Sequence, residues 1–398
     1  MNSRIAITGM GIISALGEGQ SSNYDALIGQ RSGISKLENL STVLADRILV
    51  GEIKKTNDQL AMSLNIDLSH GYSRTTLLGM HAVKEALQQA NLTGNEANLG
   101  FISSTTVGGM DTTEKYVLTY AESEENQRFI SAHDAGVSTR DIAAFFGIQG
   151  FSTTLSTACS SAANAVMLGA RMLQSGQLDR VVVGGSDALS KFTINGFNSL
   201  MILSDALCAP FDSNRKGLNL GEAAAYIVME SERVLKDQPK KVLAYLSGYG
   251  NANDAFHQTA SSADGTGAYL AMNKALNSAS LSAQDIDYIN AHGTATPNND
   301  AAEGTAMRRI FDLNMPKYSS TKAYTGHTLA AAAAVEAVFS ILALQHQVVF
   351  PNLNFEVLLD ELAVPPVLEV EKCTVDHVLS NSFGFGGNCS TLVFSRNE

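Results

Sequence analysis

One of the four cysteines in the chain stands where a nucleophile could work. Cys159 lies in Thr157-Ala-Cys-Ser-Ser-Ala, between an apolar, threonine-rich strand and a helix whose first turn consists of small residues. Unpaired backbone N–H groups and the helix dipole at such a position can stabilise a thiolate and, later, an oxyanion. The alternative is a buried structural cysteine, which is the interpretation we give to Cys208, Cys373 and Cys389.

Two histidines follow patterns that would place them beside such a nucleophile. His292, in Asn290-Ala-His-Gly-Thr, follows an apolar strand, and His327, in Thr325-Gly-His-Thr, stands at the start of a helix. Loops just beyond strand ends are where α/β folds carry their chemistry, although a single histidine there could equally be a packing or capping residue. Two imidazoles and a cysteine at a helix start indicate cysteine-based acyl transfer. No metal site is predicted, because no compact ligand spacing is found.

The charged residues near these histidines allow two interpretations. Lys322 precedes His327 by five positions, and Asp300 and Glu303 follow His292 by eight and eleven positions. They are either a surface lysine and an ordinary acidic first turn of a helix, or a buried Lys–Glu pair that sets the local field and fixes the histidine tautomers.

Two glycine-rich segments resemble phosphate-binding loops without completing one. Gly9-Met-Gly-Ile-Ile-Ser lacks the third glycine and the acidic residue of a dinucleotide-binding fingerprint. Ser382-Phe-Gly-Phe-Gly-Gly-Asn lacks the lysine and the spacing of a P-loop. The glycines of the second segment instead predict backbone N–H groups that approach a reacting carbonyl.

The elements that must position these residues follow from the hydrophobic patterns. Strands alternate with helices, which predicts an α/β layered fold in one compact body without a flexible linker. The predicted buried strands are Arg4–Thr8, Leu99–Ser103, Arg180–Val183, Ala224–Glu230, Val242–Tyr249, Asp287–Asn290 and Thr391–Phe394. The predicted helices are Thr75–Ala90, Ala162–Gln174, Gly267–Ala279, Ala301–Phe311 and Thr328–Gln345.

A weak internal repeat divides the chain. In each half a strand runs into glycines, a Ser/Thr-rich turn opens a long helix of small residues, and a strand-and-glycine element follows. The repeat predicts two duplicated halves that meet near residue 240: residues 1–240 carry Cys159, and residues 241–398 carry His292, Lys322 and His327. A ligand site between such halves would receive Cys159 from one side and His327 from the other.

Composition excludes several classes of function. The chain has 27 Lys and Arg against 39 Asp and Glu, a net charge of −12, so we predict neither a general polyanion binder nor a nucleic-acid partner. Cysteines without a C-x-x-C pair fit the reducing cytoplasm. The glycine-interrupted N-terminus predicts a first strand rather than a signal peptide. Thr328–Gln345 is short for a membrane span and carries Glu336, so we predict a buried core helix and no membrane contact. A monovalent cation bound near Glu336 is left open.

Four ordered motifs resemble those of the β-ketoacyl-acyl-carrier-protein synthases of the elongating Cys-His-His type. They are Thr157-Ala-Cys-Ser-Ser-Ala, Ala291-His-Gly-Thr-Ala-Thr-Pro, Ser320-Thr-Lys-Ala-Tyr-Thr-Gly-His-Thr-Leu and Asn381-Ser-Phe-Gly-Phe-Gly-Gly. The resemblance runs from the first strand to Phe394. It implies a thiolase-like five-layer αβαβα fold and a homodimer with paired active sites. It also implies an acyl carrier protein as partner and no cofactor beyond the phosphopantetheine on that carrier.

The resemblance also implies a role for each site residue. Cys159 would accept an acyl chain, and the carbanion formed when a malonyl thioester loses CO2 would attack that acyl-enzyme. His292 and His327 would stabilise the enolate, and the N–H groups of Cys159 and Phe385 would form the oxyanion hole. The further residues that the resemblance assigns are Lys322 paired with Glu303 for the electrostatics, Thr294 and Thr296 for the phosphopantetheine arm, and Phe383, Val107 and Met110 for the substrate pocket.

Several positions depart from the family pattern. Ala209 stands where an Arg usually precedes Pro, and Gly71-Tyr-Ser-Arg-Thr-Thr replaces a more basic stretch, so carrier docking there is in doubt. His133 stands in the region that shapes the acyl pocket, and Asn388 replaces the usual Thr. These changes hint at a specialised substrate such as a polyene or polyketide-like chain. The remaining candidates for carrier docking are Lys54, Lys55, Arg74, Arg215 and Lys216.

Two other functions fit part of the pattern. A chain-length factor, the non-catalytic partner in a heterodimeric ketosynthase, generally lacks the nucleophile that this chain keeps as Cys159. A coenzyme A thiolase needs a second reactive cysteine near the C-terminus, and Cys389 lies in that region but in a Gly-Gly-Asn-Cys-Ser context unlike that of thiolases.

Overall fold

The computed structural model describes residues 5–69 and 71–397; Arg4, where the first strand was predicted to start, lies outside them. In the first part of the chain the elements are β1 (Ile5–Ser14), β2 (Gly17–Glu18), α1 (Gly19–Ile28), α2 (Asn57–Ser63), α3 (Arg74–Gln89), β3 (Leu99–Ser104), α4 (Met110–Tyr116), α5 (Glu124–Ile130), α6 (Gly136–Phe145), β4 (Ser152–Leu155), α7 (Ser161–Gln174), β5 (Arg180–Asp187), α8 (Lys191–Ser199), β6 (Ala223–Ser231) and α9 (Glu232–Asp237). In the second part they are β7 (Ala244–Asn253), α10 (Thr266–Ala279), β8 (Tyr288–Asn290), α11 (Pro297–Phe311), β9 (Lys317–Ser319), α12 (Lys322–Thr325), α13 (Ala332–His346), β10 (Val348–Val349), β11 (Glu371–Lys372), β12 (His377–Phe383) and β13 (Asn388–Ser395).

Five strands in each half repeat one topology. Hydrogen bonding gives the order β4-β3-β5-β6-β1 in the first half and β9-β8-β12-β13-β7 in the second, so each half reads 3-2-4-5-1 when its strands are numbered along the chain. In both halves the first three strands of this order are parallel, and the fourth is antiparallel to both of its neighbours. Each half therefore forms a five-stranded sheet, and antiparallel pairing of β1 with β7 makes the two sheets continuous with each other. The predicted duplication is therefore confirmed, and the boundary near residue 240 stays a prediction.

Helices form three layers around the two sheets. On one outer face α3 packs against β1 and β6, and on the other α10 packs against β7 and β13, with α11 beside α10. The middle layer consists of α7 and α13, which touch each other; α7 also contacts β5 and β13, and α13 contacts β6 and β12. This is the five-layer αβαβα arrangement expected from the resemblance.

The apolar segment near residue 330 is a core helix, as predicted. A 3₁₀ turn at Leu329–Ala331 leads into α13, and every residue from Ala332 to Leu344 is buried. By length and composition, Leu329–His346 is the one stretch in the described part of the chain that could cross a membrane. It lies instead between the two sheets, where both of its faces are covered by protein.

Glycines in the first strand of each half allow the backbone of a helix to approach the strand closely. A Cβ on Gly11 would lie 2.0 Å from the carbonyl oxygen of Ala82 in α3, and one on Gly250 would lie 2.2 Å from that of Ala271 in α10. Strand glycines commonly mark such a close backbone approach. The glycines that resembled a dinucleotide-binding loop are therefore a packing feature.

We expect Gly250→Ala to lower the free energy of unfolding by about 1–3 kcal/mol, because the added methyl forces β7 and α10 apart. The matched control is Gly196→Ala in α8, where an added Cβ meets nothing within 4 Å. That change should alter stability by no more than about 1 kcal/mol. Urea unfolding followed by circular dichroism compares the two variants, and equal losses would contradict the packing role.

Candidate active site

Cys159 lies in a tight turn between β4 and α7. The preceding residue, Ala158, has a φ of +51°, a left-handed conformation that costs a non-glycine residue about 1–3 kcal/mol. Two hydrogen bonds hold the turn: Ser160 Oγ donates to the Thr157 carbonyl, and the Thr157 N–H donates to Ser161 Oγ, both at 2.8 Å. The turn leaves Cys159 5% exposed immediately before the helix.

Burial raises the pKa of the Cys159 thiol to about 11. The charge of Lys322 and hydrogen bonds from the backbone N–H groups of Phe385 and Cys159 oppose this rise without overcoming it. The donors predicted around the sulfur are thus present, but the resting form is the thiol, with about one sulfur in 10⁴ ionised at pH 7. The thiol proton must therefore move to a neighbouring base when the sulfur reacts.

His292 and His327 meet Cys159 from two different loops. His292 follows β8, and His327 precedes the 3₁₀ turn that leads into α13. Cys159 Sγ and a ring nitrogen of each histidine lie within 4.8 Å of one another, and the two imidazole centroids are 5.5 Å apart. The structure therefore brings together the three residues that the sequence analysis singled out.

Both imidazoles are neutral at pH 7. Burial lowers the pKa of His292 and of His327 well below the ordinary value of 6.5, and the Lys322 charge lowers both further. His327 Nδ1 accepts the N–H of Leu329 at 3.2 Å, so its proton lies on Nε2. His292 Nδ1 is buried and has no hydrogen-bond partner within the described residues. Neutral imidazoles can donate to a developing oxyanion or accept the thiol proton.

Lys322 pairs with Glu336 and not, as the resemblance implied, with Glu303. Lys322 Nζ in α12 bonds Glu336 Oε1 in α13, and the two side chains are 3% and 2% exposed. Ser382 Oγ donates to the other carboxylate oxygen at 3.4 Å. Burial raises the pKa of Glu336 to about 7 against the opposing Lys322 charge. The predicted Lys322–Glu303 pair is therefore wrong. Glu303 lies on α11, and its carboxylate accepts hydrogen bonds from backbone N–H groups of the loop that carries His292.

Glu303 holds the loop that carries His292. Its carboxylate accepts the backbone N–H groups of His292 at 2.9 Å and Gly293 at 2.8 Å, and the Asn381 amide at 3.0 Å. Burial raises the pKa of Glu303 to about 7, and the same three hydrogen bonds oppose the rise. Glu303 therefore positions the imidazole through the backbone.

A cavity of about 320 Å³ opens onto the three reactive side chains. Thr294, Thr296 and Phe383 line it as expected, and the two threonine hydroxyls lie 2.9 Å apart. The cavity does not reach Val107, which precedes α4, or Met110, which begins it; both are half-buried, and their expected place on this pocket is not found. Cavity residues that the sequence analysis did not connect with the site include Phe197, Leu200, Met201, Ile202 and His257.

Two of the basic residues proposed as candidates for carrier docking instead bind other groups of the same chain. Arg74 is buried and bonds both carboxylate oxygens of Glu222, at 2.7 and 2.9 Å. Arg215 donates to the Thr296 carbonyl at 3.2 Å, and its side chain is 7% exposed. Neither can offer its charge freely to a partner. The remaining candidates are partly or fully exposed: Lys54, Lys55 and Lys216.

We expect the alkylation rate of Cys159 by iodoacetamide to rise about tenfold per pH unit between pH 7 and 10, because only the thiolate attacks and the thiol pKa is about 11. Peptide mass spectrometry measures the rate at this site, with Cys159→Ser as the control that takes no label there. A rate that levels off below pH 9 would contradict the dominance of burial.

We expect Lys322→Met to lower the free energy of unfolding by about 3–5 kcal/mol at pH 8, because it leaves the Glu336 carboxylate buried without a counter-charge. Burial holds the folded-state pKa of Glu336 at about 7, above the ordinary 4.5, so the fold favours the protonated carboxyl. The loss should therefore be smaller at pH 5 and grow as the pH rises through 7.

Thermal unfolding at pH 5 and pH 8 measures this effect. The matched control is the double variant Lys322→Met/Glu336→Leu, which removes both charges and should recover most of the stability at pH 8. A loss that is the same at both pH values, or a double variant no more stable than the single one, would speak against a buried charge pair.

Two family models match the chain, one in each half. The "Beta-ketoacyl synthase, N-terminal domain" matches residues 2–234, and the "Beta-ketoacyl synthase, C-terminal domain" matches residues 243–356. Among curated proteins, the 3-oxoacyl-[acyl-carrier-protein] synthase 2 of Vibrio cholerae serotype O1 is 31% identical, over 99% of both chains.

Solved structures with this fold include ketosynthases reported together with a chain length factor. The ishigamide ketosynthase/chain length factor gives a TM-score of 0.92 at 25% identity, over all of both chains. The ketosynthase ApeO in complex with its chain length factor ApeC, from Xenorhabdus doucetiae, gives 0.84 at 30% identity, over 99% of this chain and 98% of the other. With matches along both halves and a Cys159–His292–His327 cluster between them, the chain belongs to the β-ketoacyl synthase family, in its Cys-His-His branch.

Proposed function

We propose that this chain is a β-ketoacyl-acyl-carrier-protein synthase that extends a fatty acyl, polyene or polyketide-like chain by two carbons. The observation that carries the proposal is the meeting of one thiol, two neutral imidazoles and two backbone N–H donors at a cavity. Relatives named 3-oxoacyl-[acyl-carrier-protein] synthase 2, aligned along the whole chain, support it.

In the first half-reaction the acyl chain moves from the carrier to Cys159. The sulfur gives its proton to a neighbouring imidazole and attacks the carbonyl carbon of the acyl-carrier thioester. The N–H groups of Cys159 and Phe385 stabilise the oxyanion that forms. The carrier thiolate then leaves, takes up the proton, and the acyl-Cys159 thioester remains.

In the second half-reaction a malonyl-carrier thioester enters the same cavity. Its C–C bond to the carboxylate breaks, CO2 leaves, and the electron pair forms an enolate whose oxygen accepts hydrogen bonds from His292 and His327. The enolate carbon attacks the acyl-Cys159 carbonyl. Collapse of that intermediate releases the 3-ketoacyl-carrier and a thiolate, which takes up one proton to restore Cys159.

Polar groups at the cavity suit the phosphopantetheine arm of the carrier, which delivers both substrates. Thr294 and Thr296 present hydroxyls that can bond the amides of phosphopantetheine, and Phe383 supplies an apolar wall. Each substrate therefore brings the group that tethers it, and the proposed chemistry requires no other cofactor. The proposed location is the cytoplasm, with acyl carrier protein as the macromolecular partner and neither nucleic acid nor membrane involved.

We further propose that the chain acts as a dimer with paired active sites. β4 ends the sheet order in the first half, so one of its edges lacks a neighbouring strand within the described chain and can pair with another subunit. The partner is a second copy or, as in the solved ketosynthase and chain length factor assemblies, a related subunit. Within each subunit, halves 1–240 and 241–398 supply Cys159 and the two histidines respectively.

Three alternatives fit the site less well. A chain-length factor would not need the intact Cys159 and paired histidines. A coenzyme A thiolase would need a second reactive cysteine, and Cys389 does line the cavity, but burial raises its pKa to about 12. A metal could fit among the three reactive side chains, yet His327 presents an N–H donor there instead of a lone pair.

We expect Cys159→Ala to abolish acylation by acyl-carrier thioesters and His327→Ala to retain acylation while slowing malonyl decarboxylation about 10²–10³-fold, as is typical when one oxyanion donor is lost. Intact-protein mass spectrometry detects the acyl-enzyme, and released CO2 reports the second step.

A panel of acyl-carrier and acyl-coenzyme A substrates of different length and unsaturation would define the preferred chain in the same assay. Condensation at the wild-type rate by Cys159→Ala would refute the proposal. Acylation by coenzyme A esters, with no decarboxylation of malonyl-carrier, would favour the thiolase alternative.

A further inference from the structure

Behind the Cys159 turn, hydroxyl and amide donors meet at a single oxygen. Asn388 Oδ1, at the start of β13, accepts hydrogen bonds from Ser160 Oγ at 2.7 Å, Asn164 Nδ2 at 2.9 Å and Asn251 Nδ2 at 3.0 Å. These donors belong to the turn, to α7 and to β7, so one carboxamide connects three elements of the two halves. None of the reaction steps proposed above uses it.

The backbone of Asn388 also restrains the loop that carries Phe385. Its carbonyl accepts the N–H of Gly384 at 2.8 Å. Gly384 in turn lies against the nucleophile turn, where an added Cβ would come within 2.7 Å of the Thr157 carbonyl oxygen and 3.3 Å of the Cys159 nitrogen. Asn388 therefore contacts the turn through its side chain and the facing loop through its carbonyl.

The turn requires support of this kind. Ala158 occupies the left-handed region, which a residue with a side chain keeps only where its surroundings hold it there. Ser160 Oγ bridges the turn's own Thr157 carbonyl and the Asn388 oxygen. Without that oxygen, Ser160 would lose the hydrogen bond that ties the turn to β13.

We propose that Asn388 is a positioning residue that keeps the N–H groups of Cys159 and Phe385 directed at the same atom. That atom is the Cys159 sulfur in the resting protein and the oxyanion during the reaction. Asn388 touches no reacting atom and acts through Ser160 and Gly384. The kinetic part of this inference rests on the proposed function. The geometric part does not, because the N–H groups of Cys159 and Phe385 already act on the thiol before any substrate binds.

Alkylation of Cys159 by iodoacetamide tests the inference without a substrate. In Asn388→Ala the carbonyl bond to Gly384 remains, but the side-chain acceptor that anchors Ser160 is lost. We therefore expect the Cys159 turn to shift relative to the Phe385 loop, so that the two N–H groups no longer both reach the sulfur, the pH profile moves upward and the rate at pH 8 falls about tenfold. A general loosening of the site would admit water and shift the profile downward instead. An unchanged or downward-shifted profile overturns the proposal.

Two further variants keep this test decisive. Asn277→Ala, at an exposed position of α10, is the matched control and should keep the wild-type profile. If Asn388→Ala does not fold, Asn388→Ser retains a hydroxyl acceptor and should show a smaller upward shift. Thermal unfolding of each variant establishes that the protein measured is folded, and a folded Asn388→Ser with the wild-type profile also overturns the proposal.

Steady-state kinetics with acyl-carrier and malonyl-carrier substrates add a second readout. We expect Asn388→Ala to lower kcat by about tenfold or more and to change KM by less than about threefold, since the N–H groups act on the transition state. A raised KM with unchanged kcat overturns the proposal. If the wild-type protein condenses neither substrate, the proposed function fails, and the alkylation profile still decides the role of Asn388.

Discussion

Burial at the junction between the two halves controls the protonation of the groups around Cys159. Burial raises the pKa of the thiol and lowers the pKa of both imidazoles, so the three reactive side chains are uncharged at pH 7. Charge then arises there only as bonds begin to break. In a buried site, donors that are already in place stabilise that charge more strongly than water would, and without reorganisation.

The same burial makes an isolated charge unfavourable, and each buried charge here has specific partners. Glu303 is surrounded by two backbone N–H groups and one amide, and Lys322 and Glu336 neutralise each other. A buried pair of this kind is seldom a net source of stability, because the desolvation of two ions offsets their attraction. Its value here is that Lys322 holds a positive charge beside the site while both histidines remain neutral.

The sequence was most informative where a pattern was long or a motif local. The helices equivalent to α3, α7, α10, α11 and α13 follow from hydrophobic periodicity, as do seven strands: β1, β3, β5, β6, β7, β8 and β13. The Cys159 and histidine motifs follow from residue type beside a strand end. The short strand β9 offers too few residues for a period to show. The partner of Lys322 could not be read, because Glu303 and Glu336 both lie on helices of mostly small or apolar residues and only tertiary packing distinguishes them. Asn388 was visible only as a departure from a family pattern, since its donors come from residues more than 130 positions away.

The central layer, formed by α7 and α13, packs against both sheets. One apolar cluster runs through it from Val166 to Phe339 and on to Phe394, so it crosses the line at which the family models divide the chain. Neither half, taken alone, could cover the inner face of its own sheet. A protease cut in the connection between α9 and β7 should therefore leave two segments that stay associated through this cluster. The duplication thus divides the topology, while one shared core joins the two halves.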